Sequence, residues 1–209
     1  MHPYFLEHRR RNIVVASSIV LAILAAYALH FVVQYAGIEI WWWIETPSVL
    51  GFYGLIMGFF DRVVWRWKML DRLGYGVPDL NGQWKVVVKS SSDGLEKLFQ
   101  ADAVIRQTWS KICIVLTFPA SASRSLTAFI ICDEALNGFE LVYAYESLPK
   151  ADAVGTMNIH RGTTWLSLSK DEQILDGEYY TGRGRHTYGR ITLTRCPVIL
   201  PTIVSREQS

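Results

Sequence analysis

Long apolar runs with helical character dominate the first third of the chain. Residues 12–38 contain no Asp, Glu, Lys or Arg, and residues 13–33 are almost wholly aliphatic. Crossing the hydrocarbon core of a bilayer takes roughly 20 apolar residues, so this run predicts a transmembrane helix. A second uncharged run covers 49–60, and Thr46-Pro47 before it is a typical helix start. We predict a second span over 47–65, in a helix that continues to about residue 73.

Basic residues flank the two apolar runs and predict their orientation. They are Arg9, Arg10 and Arg11 before the first run, and Arg62, Arg66, Lys68 and Arg72 after the second. The link between the runs carries Glu39 and Glu45 but no Lys or Arg. By the positive-inside rule both ends face the cytoplasm, so residues 1–76 are predicted to form a membrane hairpin. Cleavage at the signal-peptidase-like tract 26–28 is an alternative, and the second span would then still anchor the chain.

Small residues mark one face of the second predicted span. Gly51, Gly54 and Gly58 fall on nearly one side of a helix, and the last two have the spacing that lets helices approach closely. Two interpretations stay open: the hairpin packs on itself through this face, or several chains associate through it. Membrane lipid and further copies of the chain are therefore predicted partners.

From about residue 80 the helical period gives way to short β-branched and aromatic runs separated by turn signals. The predicted strands begin near Gln83, Leu98, Lys111, Arg124, Gly138, Val154, Thr163, Leu175 and His186. Alternation within two of these runs places the following side chains inward: Ile112, Ile114, Leu116 and Phe118, and Phe139, Leu141, Tyr143 and Tyr145. We predict that residues 80–209 form a small closed antiparallel up-and-down β-barrel of about eight strands.

Two residues match the lipocalin pattern within this predicted barrel. Trp84 follows Gly82 at the start of the first strand, and Arg195 ends the last strand. A basic side chain in that position can cover the indole ring and close the floor of the barrel. We therefore predict that Trp84 and Arg195 stabilise the fold and do not contact a ligand.

Composition agrees with a membrane part followed by a nearly neutral domain. The 209 residues are 50% apolar and 19% charged, with a mean hydropathy of +0.16, whereas soluble domains are about 25% charged. The net charge of +2 argues against a nucleic acid polymer as partner. Cys113, Cys132 and Cys196 lack metal-type spacing, so we expect no metal and a reducing compartment.

Sequence signals for catalysis are poor. His160 and His186 occur without an H-E-x-x-H, G-x-S-x-G or phosphate-loop motif around them. Asp176 and Glu178 alternate onto one strand face, and we expect both carboxylates to point to solvent. We predict no catalytic residue and no cofactor. An enzyme acting on a lipid or nucleotide is kept as an alternative.

The most distinctive tract, residues 175–190, interleaves arginines, tyrosines and glycines. Guanidinium groups pair with phosphates and aromatic faces stack on bases, so the tract suits a small ligand that carries both. The candidate phosphate ligands are Arg183, Arg185, Arg190 and Arg106, and the candidate base contacts are Tyr143, Tyr180 and Tyr188. The alternative is a solvated hairpin whose arginines contact only water and neighbouring acids.

Two N-terminal spans, the linker tract 78–84 and the late tracts 177–181 and 190–193 together resemble a known family. They look like the SMODS-associated two-transmembrane, β-strand-rich effectors of bacterial CBASS anti-phage systems. The resemblance implies that the cytoplasmic barrel binds a cyclic di- or oligonucleotide made by a partner nucleotidyltransferase. It further implies that the hairpins then oligomerise and disrupt the inner membrane, which kills the infected cell. A membrane-tethered lipocalin-like carrier of a small apolar ligand and a filled barrel for protein contacts are the alternatives.

Overall fold

The N-terminal third of the chain folds into helices. The computed structural model describes residues 1–6, 8–37, 42–72, 76–133, 138–153, 158–182 and 186–197. Its helices are α1 (His8–Tyr35), α2 (Trp42–Arg62) and α3 (Lys68–Arg72). Helix α1 packs against α2, and its buried residues Val14, Ser18 and Ala22 lie four residues apart. This spacing places the three side chains on one stripe of the helix.

The segment Arg10–Tyr35 of α1 is long and apolar enough to cross a membrane. It covers the first predicted span, and it is the one such segment in the part of the chain that the structure describes. The second span is not confirmed. Helix α2 starts at Trp42, ahead of the expected cap, and ends at Arg62. A 3-10 turn (Val64–Arg66) and the extended backbone of Trp67 separate it from α3, so one continuous helix to residue 73 does not form.

Eight antiparallel strands form a closed barrel. Two short strands, β1 (His2–Pro3) and β2 (Phe5–Leu6), precede α1. The barrel strands are β3 (Gly82–Ser90), β4 (Leu98–Gln107), β5 (Lys111–Thr117), β6 (Ser121–Asp133), β7 (Gly138–Pro149), β8 (His160–Leu168), β9 (Ile174–Thr181) and β10 (Tyr188–Arg195). Each strand from β3 to β9 pairs with the next, and β10 pairs with β3. The predicted closed up-and-down barrel is confirmed.

The alternation of side chains in the barrel wall follows the sequence pattern. The predicted inward residues of β5 and β7 are buried or packed against the core, with Ile112 and Ile114 fully enclosed. Strands β4, β5 and β7 begin at the predicted residues Leu98, Lys111 and Gly138. The run expected near Val154 lies outside the described residues. Strand β8 starts at His160, because alternation continues without a break from there through Thr163.

One end of the barrel is closed by a cation–aromatic pair. The Arg195 guanidinium lies 4.5 Å from the centroid of the fully buried Trp84 ring. Arg195 donates hydrogen bonds to the backbone carbonyls of Asn81 (3.0 Å) and Asp79 (2.6 Å). The indole Nε1 donates to the Leu80 carbonyl at 3.1 Å. These contacts confirm the predicted structural role of Trp84 and Arg195.

The helices attach to this closed end. Phe60 of α2 packs edge-to-face on Trp109 in the β4–β5 turn, with ring centroids 5.2 Å apart. The Asp61 carboxylate accepts a hydrogen bond from the backbone N–H of Ser110 at 2.7 Å. Arg10 of α1 donates to the Gly76 carbonyl at 2.5 Å. The other end of the barrel therefore points away from α1 and α2.

Candidate ligand-binding cavity

The end of the barrel remote from the helices holds an open cavity of about 640 Å³. Its walls come from the last residues of β3, β5, β7 and β9 and from the first residues of β4, β6, β8 and β10. The mouth is ringed by Ser90, Ser121, Ser147, His160, Thr181 and Thr187. A barrel of eight strands has room for one small ligand where its interior is left unfilled.

The cavity exists because side-chain size changes along the barrel axis. Near the floor the inward positions carry large aliphatic side chains that are fully enclosed, among them Ile105, Leu141, Leu166, Leu175 and Leu193. Towards the mouth the same inward alternation carries serine and threonine on most strands. Small side chains cannot meet across the barrel, so the lower half is packed and the upper half is open.

Two inward-facing glycines keep the cavity wide. A Cβ atom added at Gly162 would lie 2.5 Å from the Tyr145 hydroxyl oxygen, and one at Gly189 would lie 2.8 Å from Cε1 of Tyr179. Each tyrosine therefore lies against the wall, over a neighbouring strand, in space that a side chain would otherwise occupy. The aromatic rings contribute to the lining of the cavity and its centre stays clear.

Tyr143 forms the bottom of the cavity with Thr164. Its side chain is 1% exposed, and burial raises the pKa of its hydroxyl to about 12, an effect that the Thr164 hydrogen bond partly opposes. The ring centroid lies 6.2 Å from that of Tyr145, with the planes tilted by 54°. Tyr143 therefore presents a neutral hydroxyl group beside a second aromatic face at any ordinary pH.

The lining is almost free of charge. Among the described residues that line the cavity there is no Lys, Arg, Asp or Glu, and His160 is the one basic side chain. The His160 Nδ1 lies 3.1 Å from the backbone carbonyl oxygen of Asn158, at the mouth. The interior therefore offers hydroxyl groups and aromatic faces, which suit an uncharged heterocycle with hydrogen-bonding edges.

The candidate residues named from sequence are distributed over two surfaces. Tyr143 lies inside the cavity. Arg106, Arg190, Tyr180 and Tyr188 lie on the outside of the barrel, and the two tyrosines are 51% and 57% exposed. The reason is the strand period of two: Gly189 and Ile191 point inward, so Arg190 between them points outward.

The outward residues have partners on the barrel surface. Arg190 Nη2 lies 2.6 Å from Oδ2 of Asp176, and this hydrogen bond holds the pKa of the carboxyl below its ordinary value. The Tyr180 hydroxyl donates to Glu178, which raises the pKa of the tyrosine. These contacts match the solvated-hairpin alternative for the part of the tract that the structure describes. Arg183 and Arg185 lie outside the described residues, between the cavity-lining residues Thr181 and Thr187.

Sequence reasoning missed the hydroxyl residues of the upper wall. Ser147 continues the same alternation as Tyr143 and Tyr145, four and two positions before it, and is buried at the mouth. Ser121 and Ser123 do the same on β6. The sequence signal for the cavity is the change from large apolar to small hydroxyl side chains along the inward face of a strand. In a filled barrel, large side chains would occupy all of these inward positions.

The fold and the cavity define the class of this protein. A barrel closed towards an apolar helix and open at its far end, with an uncharged, largely apolar interior that carries hydroxyl groups, is typical of a receptor domain for a small molecule. Residues 75–195 match the family described as Cap15, cyclic dinucleotide receptor domain, and the chain belongs to that family. The match confirms the family resemblance drawn from sequence and the cyclic dinucleotide as the class of ligand.

Two relatives are similar to this chain over more than half of its length. The chain is 34% identical over 148 residues to CD-NTase-associated protein 15 of Yersinia aleksiciae, covering 71% of this chain and 69% of that protein. It is 31% identical over 125 residues to CD-NTase-associated protein 15 of Staphylococcus schleiferi, covering 59% of this chain and 64% of that protein.

Proposed function

We propose that this protein is a membrane-anchored anti-phage effector whose barrel cavity binds a cyclic dinucleotide made by a partner nucleotidyltransferase. Binding drives association of the membrane helices and disruption of the bacterial inner membrane. The protein acts as a receptor and not as an enzyme. The observation that carries the proposal is the open cavity of about 640 Å³ within the residues that match the receptor family. Its volume falls in the range of roughly 300–1,000 Å³ that is typical of small-molecule sites.

The chemistry of the lining supports one orientation of the ligand. A phosphate buried without a cationic partner is costly, and the described residues that line the cavity include no Lys or Arg, with His160 at the mouth as the one basic side chain. The bases therefore enter the cavity, against Tyr143, Tyr145 and Tyr179, and the phosphates stay at the mouth. Arg183 and Arg185 lie two and four positions after the rim residue Thr181 in sequence and are our proposed phosphate ligands.

The attachment of the helices supports a cytoplasmic mouth. The floor of the barrel contacts α1 and α2 through Arg10, Phe60 and Asp61, so the mouth faces away from the membrane. We assign α2 as a second span, which returns the chain to the side where basic residues cluster. Its exposed apolar side chains, Leu50, Leu55 and Phe59, suit contact with lipid or with another helix.

The glycine face of α2 supports association between chains. A Cβ atom placed at Gly51 or Gly54 would meet no atom within 4 Å, so α1 does not cover this face within one chain. Helix α1 packs against α2, and the buried stripe of α1 consists of Val14, Ser18 and Ala22. For binding to promote assembly, the ligand must bind the associated form more tightly than the single chain, because only differential affinity shifts an equilibrium.

A pair of neighbouring substitutions on β7 tests the site. Ser147→Phe adds a ring to the cavity, and Leu148→Phe adds one to the outer surface of the same strand. The full chain in detergent is screened for thermal stabilisation by a panel of symmetric cyclic dinucleotides. We expect stabilisation of the wild type and of Leu148→Phe, and none of Ser147→Phe although its far-UV circular dichroism is unchanged. Equal stabilisation of both variants would place the ligand elsewhere.

A further inference from the structure

The wall of the barrel is not made by its eight long strands alone. Strands β5 and β6 pair directly at only three positions, Val115–Thr117 with Ala122–Arg124, all near the mouth. The register of β6 against β7 shifts between Ser125 and Thr127, and a bulge of this kind bends the strand that carries it. Below it β5 and β6 diverge, which leaves a gap in the wall on the side of the membrane helices.

The leading segment, residues 1–6, fills that gap. Its first half pairs antiparallel with β5, His2 opposite Ile112, and its second half pairs parallel with β6, Leu6 opposite Ile130. The segment thus joins two edges that would otherwise be open, in the manner of a peptide that adds a strand to a sheet.

The side chains of the leading segment alternate like those of a wall strand. Tyr4 and Leu6 are buried, and Phe5 lies outside with its ring 5.9 Å from that of Phe129. The Tyr4 hydroxyl accepts a hydrogen bond from the buried Gln107 side-chain amide at 3.3 Å. Burial raises the pKa of Tyr4, so the hydroxyl is neutral.

The leading segment connects the level of the cavity to the membrane helix. The His2 Nε2 lies 2.7 Å from the Ser125 hydroxyl oxygen, which also accepts a hydrogen bond from the Ile114 N–H at 2.9 Å. The next inward residues towards the mouth, Leu116 and Ser123, line the cavity. At the other end of the segment, α1 starts at His8, two residues after Leu6.

We propose that the leading segment is the mechanical link that couples ligand binding in the cavity to the position of α1 on the barrel. Removing it would open the wall below the cavity and leave the Gln107 amide without its acceptor, so the ligand binds more tightly when the segment is seated. Because coupling is reciprocal, the ligand in turn holds the segment on β5 and β6 and fixes the first turn of α1 against the barrel. This inference rests on the proposed function, since it takes the cavity as the ligand site.

Hydrogen exchange of the full chain in nanodiscs tests the link, with the cyclic dinucleotide that stabilises the wild type. We expect the ligand to slow amide exchange in residues 1–6 by about tenfold, a typical allosteric coupling. The inward variant Tyr4→Ala is expected to weaken ligand binding by a similar factor, and the outward control Phe5→Ala to leave it unchanged. Unchanged exchange in residues 1–6 upon saturation with ligand would overturn the link.

An insertion separates this inference from the proposed function. A short Gly-Ser linker directly after Leu6 leaves the leading segment free to pair but loosens its connection to α1. We expect the insertion variant to bind the dinucleotide with wild-type affinity and to lose ligand-dependent dye leakage from vesicles of bacterial polar lipid. Wild-type leakage would refute the link alone. Failure of every cyclic dinucleotide to bind the wild type would refute the proposed function and the link that depends on it.

Discussion

At the scale of single residues, the width of the cavity depends on two tyrosines and on the two glycines beneath their rings. Tyr145 and Tyr179 lie over Gly162 and Gly189, and a Cβ atom at either glycine would clash with both the ring and a backbone carbonyl oxygen of the neighbouring strand. Tyr143 is enclosed beneath them and keeps its proton through hydroxyl burial. The cavity therefore presents an uncharged surface of hydroxyl groups and aromatic faces.

The ionisation of Tyr143 provides a test that needs no ligand. Its folded pKa, about 12, lies above the ordinary value of 10.0, so its contribution to stability is present below pH 10 and is lost as the pH rises towards 12. The contribution is of the order of 2 kcal/mol. Thermal unfolding of the wild type and of Tyr143→Phe across this range is the measurement. We expect a flatter dependence on pH for the variant, and equal slopes would show that Tyr143 is not enclosed.

At the scale of secondary-structure elements, the floor joins the start of β3 to the end of β10 through Trp84 and Arg195. In Arg195→Ala the ring loses its cation and three backbone carbonyls lose their donor, so we expect a loss of about 2 kcal/mol in the free energy of unfolding. Urea unfolding followed by tryptophan fluorescence measures it. The control Arg106→Ala, at an exposed position on β4, is expected to change stability by less than about 0.5 kcal/mol. Similar losses in the two variants would argue against the floor contact.

The elements also show what a sequence can and cannot predict. Alternation along β5 and β7 is local, so the inward faces and the strand starts at Lys111 and Gly138 follow from it. The pairing of residues 1–6 with β5 and β6 joins positions more than a hundred residues apart and has no local signal. Similarly, a tract rich in Arg and Tyr predicts a binding surface, but its residues alternate across a strand. Arg190 therefore lies on the outer face, beside Asp176 and away from the cavity.

At the scale of the whole molecule, the floor of the barrel lies against the helices and the mouth lies on the far side. We propose that this arrangement separates ligand binding from the response at the membrane. The glycine face of α2 is the surface on which we expect that response to depend. Gly54→Leu combined with Gly58→Leu should retain dinucleotide binding and lose membrane disruption, because bulky side chains keep helix backbones apart. Dye leakage and cross-linking of the full chain in vesicles measure the effect. Ile56→Leu, on the opposite side of α2, is the control, and full leakage by the double variant would exclude helix association through this face.

The central claim is that each barrel holds one cyclic dinucleotide in its own cavity. Isothermal titration of the full chain in detergent with the dinucleotide that stabilises it tests this claim most directly. The account predicts saturable binding with one ligand per chain, abolished by Ser147→Phe and retained by Leu148→Phe. Binding of one ligand per two chains, or binding that survives Ser147→Phe, would contradict it.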